Sequence, residues 1–346
     1  MTMTTRESRG VVMVDVARLA GVSQKTVSRV INDAPHVRPE IRDRVLAAIA
    51  ELGYRPNLAA RALVTQRTHV IGLLVVGTPL YGPAQRVFSL EQAGRELGYE
   101  LALASLPDTT AASFSRGVQS LLKRGVEGII LEVPTHLTDV DDSTFGGLPV
   151  VTSVERIPGV THQAVVNSSQ REAGRLATQH LLDLGHETVF HIAGPLEWDA
   201  SQQRRDGWSD ALAAARRPVP PLLVGDWSAR SGFELGQHIA GRKDLTAVFA
   251  ANDHQAIGLM RALVEAGRSI PDDVSVVGFD DVPEAEFQMV PLTTVRMDSH
   301  TTSRRVLAEL VALIEHGKPE SDGIDVPCEL VVRRSSGPPR ADRHHN

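Results

Sequence analysis

Apolar residues recur at helical spacing in three short segments near the start of the chain. Gly21 allows a tight turn between the first two segments, and Ser23 is a good N-cap for the second. The third segment begins at Pro39, a favourable first helical position, and ends at Gly53. The positions expected to face inward are Val16, Leu19, Ala20, Val27, Val30, Ile31, Ile41, Val45, Ala48, Ile49 and Leu52. Three helices with so short a first turn predict a helix-turn-helix head.

The pattern changes after the third helix. Residues 55–69 contain good helix formers but only a thin apolar stripe, so a helix there would be marginal by itself. From residue 70 onward, apolar strands alternate with amphipathic helices in two successive rounds. This pattern predicts an α/β fold with two parallel-sheet lobes. Ligands of such sheets bind beyond the carboxyl ends of the strands, where "GPL", "DWS", "AND" and "FDD" occur.

The composition is typical of a globular protein, with 42% hydrophobic and 4% aromatic residues among 346. The single cysteine, Cys328, cannot form an intrachain disulfide, and no signal-peptide pattern precedes the first helix. The longest apolar runs, such as residues 70–76, have the length of strands rather than of membrane spans. We therefore expect a cytoplasmic protein that does not insert into a membrane.

Charge is distributed unevenly along the chain. The net charge is −6 overall, but residues 1–67 hold 11 basic and 6 acidic residues, a net charge of +5. The remaining 25 basic and 36 acidic residues give −11. A basic head on an acidic body is typical of a protein whose small domain contacts phosphate, although chance unevenness would give the same counts.

The second helix has a polar face opposite its apolar stripe. At about 100° per residue, Gln24, Lys25, Ser28 and Arg29 lie along that face. In a DNA major groove, an arginine can bind guanine through two hydrogen bonds, and a glutamine can bind adenine in the same way. A solvated amphipathic helix would show the same face. The preceding "VARLAG", whose small residues allow two helices to cross closely, and the basic charge favour a DNA-reading helix.

Several spaced motifs occur together in one order: "DVARLAGVSQKTVSRVIND", "VRPEIRDRVLAAIAELGYRPNLAARALVTQRT", "IGLLV", "LGH", "DGW", "AND", "AIGLMRAL", "LTTVRMD" and "LVVRRSS". With them, nearly the whole chain resembles the LacI/GalR family of bacterial transcription regulators. The resemblance implies a helix-turn-helix head, a hinge helix and a two-lobed core like the periplasmic binding proteins. It also implies operator DNA as a partner, a small-molecule effector such as a sugar, and a homodimer.

The resemblance also implies roles for individual residues. Gln24, Lys25 and Arg29 would face bases, and four others would lie near phosphates or support the helix: Ser23, Thr26, Ser28 and Asn32. Asn57, Ala60 and Leu63 match the hinge helix, and Leu63 would wedge between base pairs in the minor groove. Without the resemblance, Leu63 would be interpreted as a core leucine. One departure is Val12, which stands where family members often have a helix-capping threonine.

Four residues in the second round of strands and helices are candidate ligands for a polyol. Arg204 can donate two parallel hydrogen bonds, Asn252 can donate and accept, and Asp280 can accept from hydroxyls, while Trp227 offers a face for a sugar ring. Each has a structural alternative: an ion-paired surface arginine, an Asx turn, or a core tryptophan. Their match to the ligand positions of the family favours binding. In the first lobe, "VVTSVERI" has no aspartate where a similar family member has one, and only Glu155 is nearby. Val76 stands where that family member has a small polar residue. These differences indicate that the two proteins bind different sugars.

Catalytic and metal motifs are weak. "HETVFH", residues 186–191, has one residue too many for a zinc-protease motif. No G-x-S-x-G occurs, and the first core strand is not followed by G-x-G-x-x-G. Asp280 and Asp281 could hold a metal, but a carboxylate pair without other clustered ligands is little evidence. We expect neither an enzyme nor a cofactor.

The predicted domains are a helix-turn-helix domain (1–55), a hinge helix (56–67), a two-lobed core (68–337) and a tail (338–346). Within the core, we expect a first lobe of about 70–166 and 299–326, and a second of about 167–298 and 327–337. Because "LVVRRSSGPPRADRHHN" lacks a leucine heptad, a dimer is expected rather than a tetramer. The predicted function is that of a repressor released from a pseudo-palindromic operator by a sugar. A sugar-binding protein without a DNA-binding role is the alternative.

Overall fold

The computed structural model describes residues 11–31, 35–55, 67–78, 80–133, 140–321 and 324–340. The chain divides into two compact units, Met1–Thr68 and His69–Asn346. We call them the head and the core. The expected hinge helix falls almost entirely on residues that the structure does not describe, so its conformation stays a prediction.

The described part of the head contains three helices: α1 (Met13–Ala20), α2 (Gln24–Ile31) and α3 (Pro39–Leu52). Gly21 and Gly53 end α1 and α3 in the left-handed backbone region, with φ of 64° and 60°. Val16, Val27 and Val45, one from each helix, are fully buried against one another in a single small core. The expected three-helix head is therefore present.

The buried face of α1 differs from the expected one. Leu19 is 46% exposed, whereas Ala17 is buried beside Val16 and Ala20. At 100° per residue, Val16, Ala17 and Ala20 span one 100° sector, and Leu19 lies outside it. The small side chains of Ala17 and Ala20 allow the neighbouring helices to approach closely on their side of α1. Leu19 lies outside that side and stays exposed.

The start of α1 shows how the chain manages without a capping threonine. Val12 at the N-cap has no side-chain oxygen, but its backbone N–H donates to Asp15 Oδ2 at 3.1 Å. One of the two hydrogen bonds of a capping box is thus made. In α2, the expected cap is present, because Ser23 Oγ accepts from the Thr26 backbone N–H at 3.1 Å.

The described part of the core contains two sheets of six strands each. The strands of the first sheet are β1 (Val70–Val76), β2 (Glu100–Leu106), β3 (Ile129–Glu132), β4 (Val150–Thr152), β5 (Gln163–Ser168) and β11 (Ile324–Val326). Their order across the sheet is β11–β5–β4–β3–β1–β2, and they are parallel. The helices packed with it are α4 (Tyr81–Glu96), α5 (Ala111–Lys123) and α10 (Ser299–His316). This sheet and its helices are the first lobe.

The second sheet has the order β12–β10–β9–β8–β6–β7, with β12 antiparallel to β10 and the other strands parallel. Its strands are β6 (Phe190–Ala193), β7 (Leu223–Val224), β8 (Ala247–Ala250), β9 (Ser275–Phe279), β10 (Thr293–Met297) and β12 (Cys328–Val331). Its helices are α6 (Gln170–Asp183), α7 (Asp199–Ala214), α8 (Ala229–Ile239) and α9 (Asp253–Glu265). They form the second lobe.

Each sheet has an apolar cluster on both faces, as expected for parallel strands covered by helices on two sides. The chain passes between the lobes three times: after β5, after β10 and between β11 and β12. The expected two-lobed α/β architecture is therefore confirmed. A bilayer-spanning helix is not found in the described part of the chain.

Residues 335–340 lie against the second lobe. Ser335 is fully buried and donates from its hydroxyl to the Val276 carbonyl, and Gly337 exchanges hydrogen bonds with Ser275. Arg340 lies within 3.5 Å of the carboxylates of Asp272 and Asp273. The first residues of the expected tail are thus placed on the lobe, and residues 341–346 are not described.

Candidate functional site

A cleft of about 200 Å³ lies between the two lobes of the core. The first lobe contributes residues from the ends of β1, β3 and β4 and from the first turns of α4. The second contributes residues that follow β6, β8 and β9. Carboxyl ends of parallel strands from both sheets therefore meet at one place, which is where ligands of such sheets bind.

All four residues that the sequence suggested as ligands line this cleft. Arg204, on α7, is only 7% exposed. Its Nε donates to Gln170 Oε1 at 2.7 Å and its Nη1 to the Ala251 carbonyl at 2.5 Å. Its guanidinium carbon lies 3.4 Å from the centroid of the Phe279 ring. Burial lowers the pKa of Arg204 to about 10, so the guanidinium remains charged at neutral pH.

Trp227 forms an aromatic wall of the cleft with Trp198, their ring centroids 5.9 Å apart at 67°. Its backbone is in the left-handed region, with φ of 72°, and its ring packs so closely on Gly194 that a Cβ there would lie 2.3 Å from it. The indole Nε1 is buried, and no described residue is its hydrogen-bond partner. Trp227 is therefore packed like a core residue, yet it presents an unpaired donor.

Asn252 caps a helix and also lines the cleft. It is the N-cap of α9, and its Oδ1 accepts from the Gln255 backbone N–H at 2.9 Å. Its Nδ2 donates to the Trp227 carbonyl at 3.0 Å. The side-chain amide carries a second N–H, and this donor can serve a ligand.

The carboxylates after β9 differ in their surroundings. Asp280, with φ of 103°, lines the cleft, and burial raises its pKa to about 6, while the positive charge of Arg204 acts in the opposite direction. Asp281 instead forms ion pairs with Arg296 and Arg333, both at 2.7 Å. Asp253 is fully buried and accepts hydrogen bonds from the Thr294 hydroxyl and the Val282 N–H. Burial raises its pKa to about 8.

The two histidines of "HETVFH" serve packing. His186 hydrogen-bonds to the Thr246 hydroxyl and the Gly337 carbonyl. His191 is stacked on Phe249 with centroids 4.7 Å apart, and burial lowers its pKa to about 4. Within the described ranges, no group of three or more His, Cys, Asp or Glu side chains is placed to hold a metal ion.

The sequence did not indicate most of the cleft lining. Among the lining residues that it left out are Tyr81, Arg86, Glu132 and Ser153 of the first lobe and Gln170, Trp198 and Phe279 of the second. Glu132 ends β3, so the rule about carboxyl ends would have indicated it. Glu155, the acidic residue expected nearby, is exposed and does not line the cleft, whereas Val76 does.

In the head, α2 presents the expected polar face. Gln24, Lys25 and Arg29 are exposed, and Thr26 and Ser28 are half-buried. Arg29 Nη2 donates to the Pro35 carbonyl at 2.9 Å, which holds the guanidinium near the carboxyl end of α2. Asn32, Asn57, Ala60 and Leu63 belong to the stretches left undescribed, so their DNA contacts stay predictions.

Comparison with known proteins identifies the two parts of the chain. Residues 12–57 match the model of the bacterial regulatory proteins of the lacI family, and residues 178–336 match that of periplasmic binding protein-like domains. The lactose operon repressor of Escherichia coli (strain K12) is 33% identical over 336 residues, 94% of this chain and 91% of that protein. The chain belongs to the LacI family.

Two solved structures extend the comparison of this LacI-family protein. A lac repressor dimer bound to operator and the anti-inducer ONPF has a TM-score of 0.81 at 30% identity, covering 95% of this chain and 100% of that one. A complex of the transcriptional regulator CelR with cellobiose has a TM-score of 0.68 at 32% identity, covering 94% and 100%. The family assignment and the fold thus agree over nearly the whole chain.

Proposed function

We propose that this LacI-family protein is a sugar-responsive repressor, which binds a pseudo-palindromic operator as a homodimer and leaves it when a sugar occupies the cleft. Two-fold symmetry of a dimer is mirrored by paired half-sites in its operator. The lac repressor dimer solved on its operator supports this assembly, and the CelR–cellobiose complex supports a sugar as effector.

The observation that carries the proposal is the chemistry of the cleft. Trp198 and Trp227 provide apolar faces for a sugar ring, while Arg204, Asn252 and Asp280 provide donors and acceptors around them. Ligand sites typically combine an apolar lining with a few polar groups that fix the orientation of the ligand. A sugar has apolar ring faces and polar edges, so it matches this arrangement.

In the head, we assign base contacts to Gln24, Lys25 and Arg29, whose side chains are exposed on one face of α2. Ser23, Thr26, Ser28 and Asn32 would lie near phosphates or support the helix. Asn57, Ala60 and Leu63 would belong to a hinge helix that forms on the operator, with Leu63 inserted in the minor groove.

Effector binding and operator binding are then coupled through the core. A sugar that contacts both lobes stabilises one lobe arrangement over another, and it shifts the population only as far as its affinities for the two arrangements differ. If the favoured arrangement separates the paired hinge segments, operator affinity falls. In this scheme, the protein acts only by binding DNA and the sugar, and it catalyses no reaction. It would work inside the cell, where its operator DNA is.

The test uses the full chain and DNA selected from a random pool. After selection, fluorescence anisotropy measures operator affinity with and without a panel of neutral sugars, acidic sugars and the nucleobases adenine and guanine. We expect a pseudo-palindromic consensus and weaker binding in the presence of at least one sugar. An absence of selected DNA would favour the alternative, a sugar-binding protein without a DNA-binding role. A response to a nucleobase alone would overturn the sugar assignment.

A further inference from the structure

Arg86 and Glu132, which are not among the four predicted ligand residues, form an ion pair in the first-lobe wall of the cleft. Arg86 lies on α4 and Glu132 at the end of β3, and both line the cleft. Arg86 Nε is 3.7 Å from Glu132 Oε1, and each side chain is 15% exposed. The pair is thus largely removed from water.

This pair is incompletely hydrogen-bonded. An N–O distance of 3.7 Å exceeds that of an ordinary hydrogen bond, about 2.7–3.2 Å. Arg86 Nη1 and Glu132 Oε1 are both buried, and neither has a hydrogen-bond partner among the residues that the structure describes. Within the described ranges, the other carboxylate oxygen accepts one long bond, at 3.4 Å, from Ser153 Oγ. Because buried polar atoms are costly when unpaired, this arrangement is suited to a guest that supplies the missing bonds.

The guest must satisfy a donor and an acceptor at neighbouring positions. A hydroxyl group does both, because its oxygen accepts from the guanidinium while its proton is donated to the carboxylate. A carboxylate or phosphate on the ligand would bind Arg86 but would meet the negative charge of Glu132. An ammonium group would bind Glu132 but would meet the positive charge of Arg86. The pair therefore selects a neutral hydroxyl.

The second-lobe wall offers similar chemistry. Arg204 and Asp280 bring a guanidinium and a carboxylate to that side. Trp227 Nε1 is also buried there, with no hydrogen-bond partner in the described part of the chain. Each lobe therefore offers one positive and one negative group, together with aromatic surface. A ligand that touches both lobes meets no excess of either charge from these groups.

We propose that Arg86 and Glu132 bind one hydroxyl of the effector between them, and that they restrict the effector to neutral saccharides and exclude acidic sugars. This inference rests on the proposed sugar response and deepens it, because it names the class of sugar and the residues that select it.

The test is isothermal titration calorimetry of the full chain with matched pairs of sugars. The probes are D-glucose with D-glucuronate, D-galactose with D-galacturonate, and the neutral disaccharides cellobiose, lactose and maltose. We expect binding of at least one neutral sugar and no measurable binding of the uronates. Glu132→Gln and Arg86→Gln should each weaken the neutral sugar about 10- to 100-fold, the range for hydrogen bonds to charged groups. Glu132→Gln should also raise the affinity for the matching uronate.

The matched control is Glu91→Gln, on the same lobe, where Glu91 pairs with Arg95 and its side chain is 49% exposed. It should bind sugars like the wild type. The double variant Arg86→Gln/Glu132→Gln removes both charges together, so it avoids leaving one buried charge alone. It should fold, bind the neutral sugar weakly and lose the discrimination against uronates.

The outcomes separate this inference from the proposed function. If the wild type binds none of the sugars, the sugar response itself is wrong. If it binds a neutral sugar, but the three cleft variants bind that sugar and the uronates as the wild type does, the pair does not select the effector and only this inference fails. Preferential binding of a uronate by the wild type would likewise overturn the inference and leave the sugar response standing.

Discussion

The side-chain amide of Asn252 donates a hydrogen bond to the backbone carbonyl of Trp227 at 3.0 Å. Trp227 is held there in the left-handed backbone region, with φ of 72°. Since the same amide accepts from Gln255 N–H, one side chain joins the start of α9 to the aromatic wall of the cleft. The geometry of the ligand site thus depends on a helix cap.

Asn252→Ala should therefore lower the free energy of unfolding by more than the loss of an N-cap alone would. An N-cap contributes about 1 kcal/mol, and an unpaired buried carbonyl costs about 1–3 kcal/mol more. We expect a drop of about 2–4 kcal/mol in the free energy of unfolding, measured by urea titration. Ser228→Ala removes a comparable cap, that of α8, and should cost about 1 kcal/mol. Equal losses for the two variants would show that the bond to Trp227 adds nothing.

Arg204 and Arg205 are neighbours with opposite surroundings, which makes them a matched pair. Arg204 stacks on Phe279, whereas Arg205 pairs with Asp206 and keeps 33% of its side chain exposed. A lysine lacks the planar guanidinium that stacks and donates in parallel. Arg204→Lys should weaken sugar binding about 10-fold or more in calorimetry, and Arg205→Lys should leave it unchanged. A similar loss in both would contradict the assignment of Arg204 as the ligand residue.

Stability should fall as the pH rises toward 8, because the pKa of the buried Asp253 is raised to about 8 in the folded protein. Between the ordinary value near 4 and about 8, the folded state holds a proton that the unfolded state has lost. This one group lowers the free energy of unfolding by at most about 1.4 kcal/mol per pH unit in that window.

Asp253→Asn should therefore flatten the dependence of the thermal midpoint on pH between 6 and 8. The exposed Asp183 provides the control, since Asp183→Asn should keep the pH dependence of the wild type. A steep dependence that persists in Asp253→Asn would assign the effect to another group.

Arg29→Ala should change which DNA sequences are bound. A guanidinium that reads guanine contributes about 1–3 kcal/mol, so operator affinity should fall about 5- to 150-fold, and the preference at one base pair per half-site should relax. Binding to a set of single-base operator variants measures both effects. Uniform weakening on every sequence would instead indicate a phosphate contact.

Val12→Thr should strengthen the start of α1. Asp15 already accepts from the backbone N–H of residue 12, and a threonine oxygen would complete the capping box. The expected gain is about 0.5–1 kcal/mol, visible as slower amide hydrogen exchange in α1. Val12→Ala, which also lacks a side-chain oxygen, should not slow that exchange.

Local patterns along the chain predict the fold class and the order of the elements. Helical spacing of valines and alanines, with glycines at the ends, predicts α1 to α3, and alternating strand and helix patterns predict the two sheets. These features depend on neighbours in the chain, so they can be read locally. The four second-lobe residues follow from their match to family positions, and three of them, Trp227, Asn252 and Asp280, also lie just after strands.

Which side chains share a surface, and what charge they carry, depends on contacts between residues far apart in the chain. Leu19 has the spacing of a core residue, but close packing of Ala17 and Ala20 leaves it exposed. Asp280 and Asp281 are adjacent in sequence, yet one faces the cleft and the other forms ion pairs. Arg86 and Glu132 are 46 positions apart and meet only because α4 packs near the end of β3. Burial and long-range contact, which no local pattern encodes, produce the unpaired atoms that we assign to the effector.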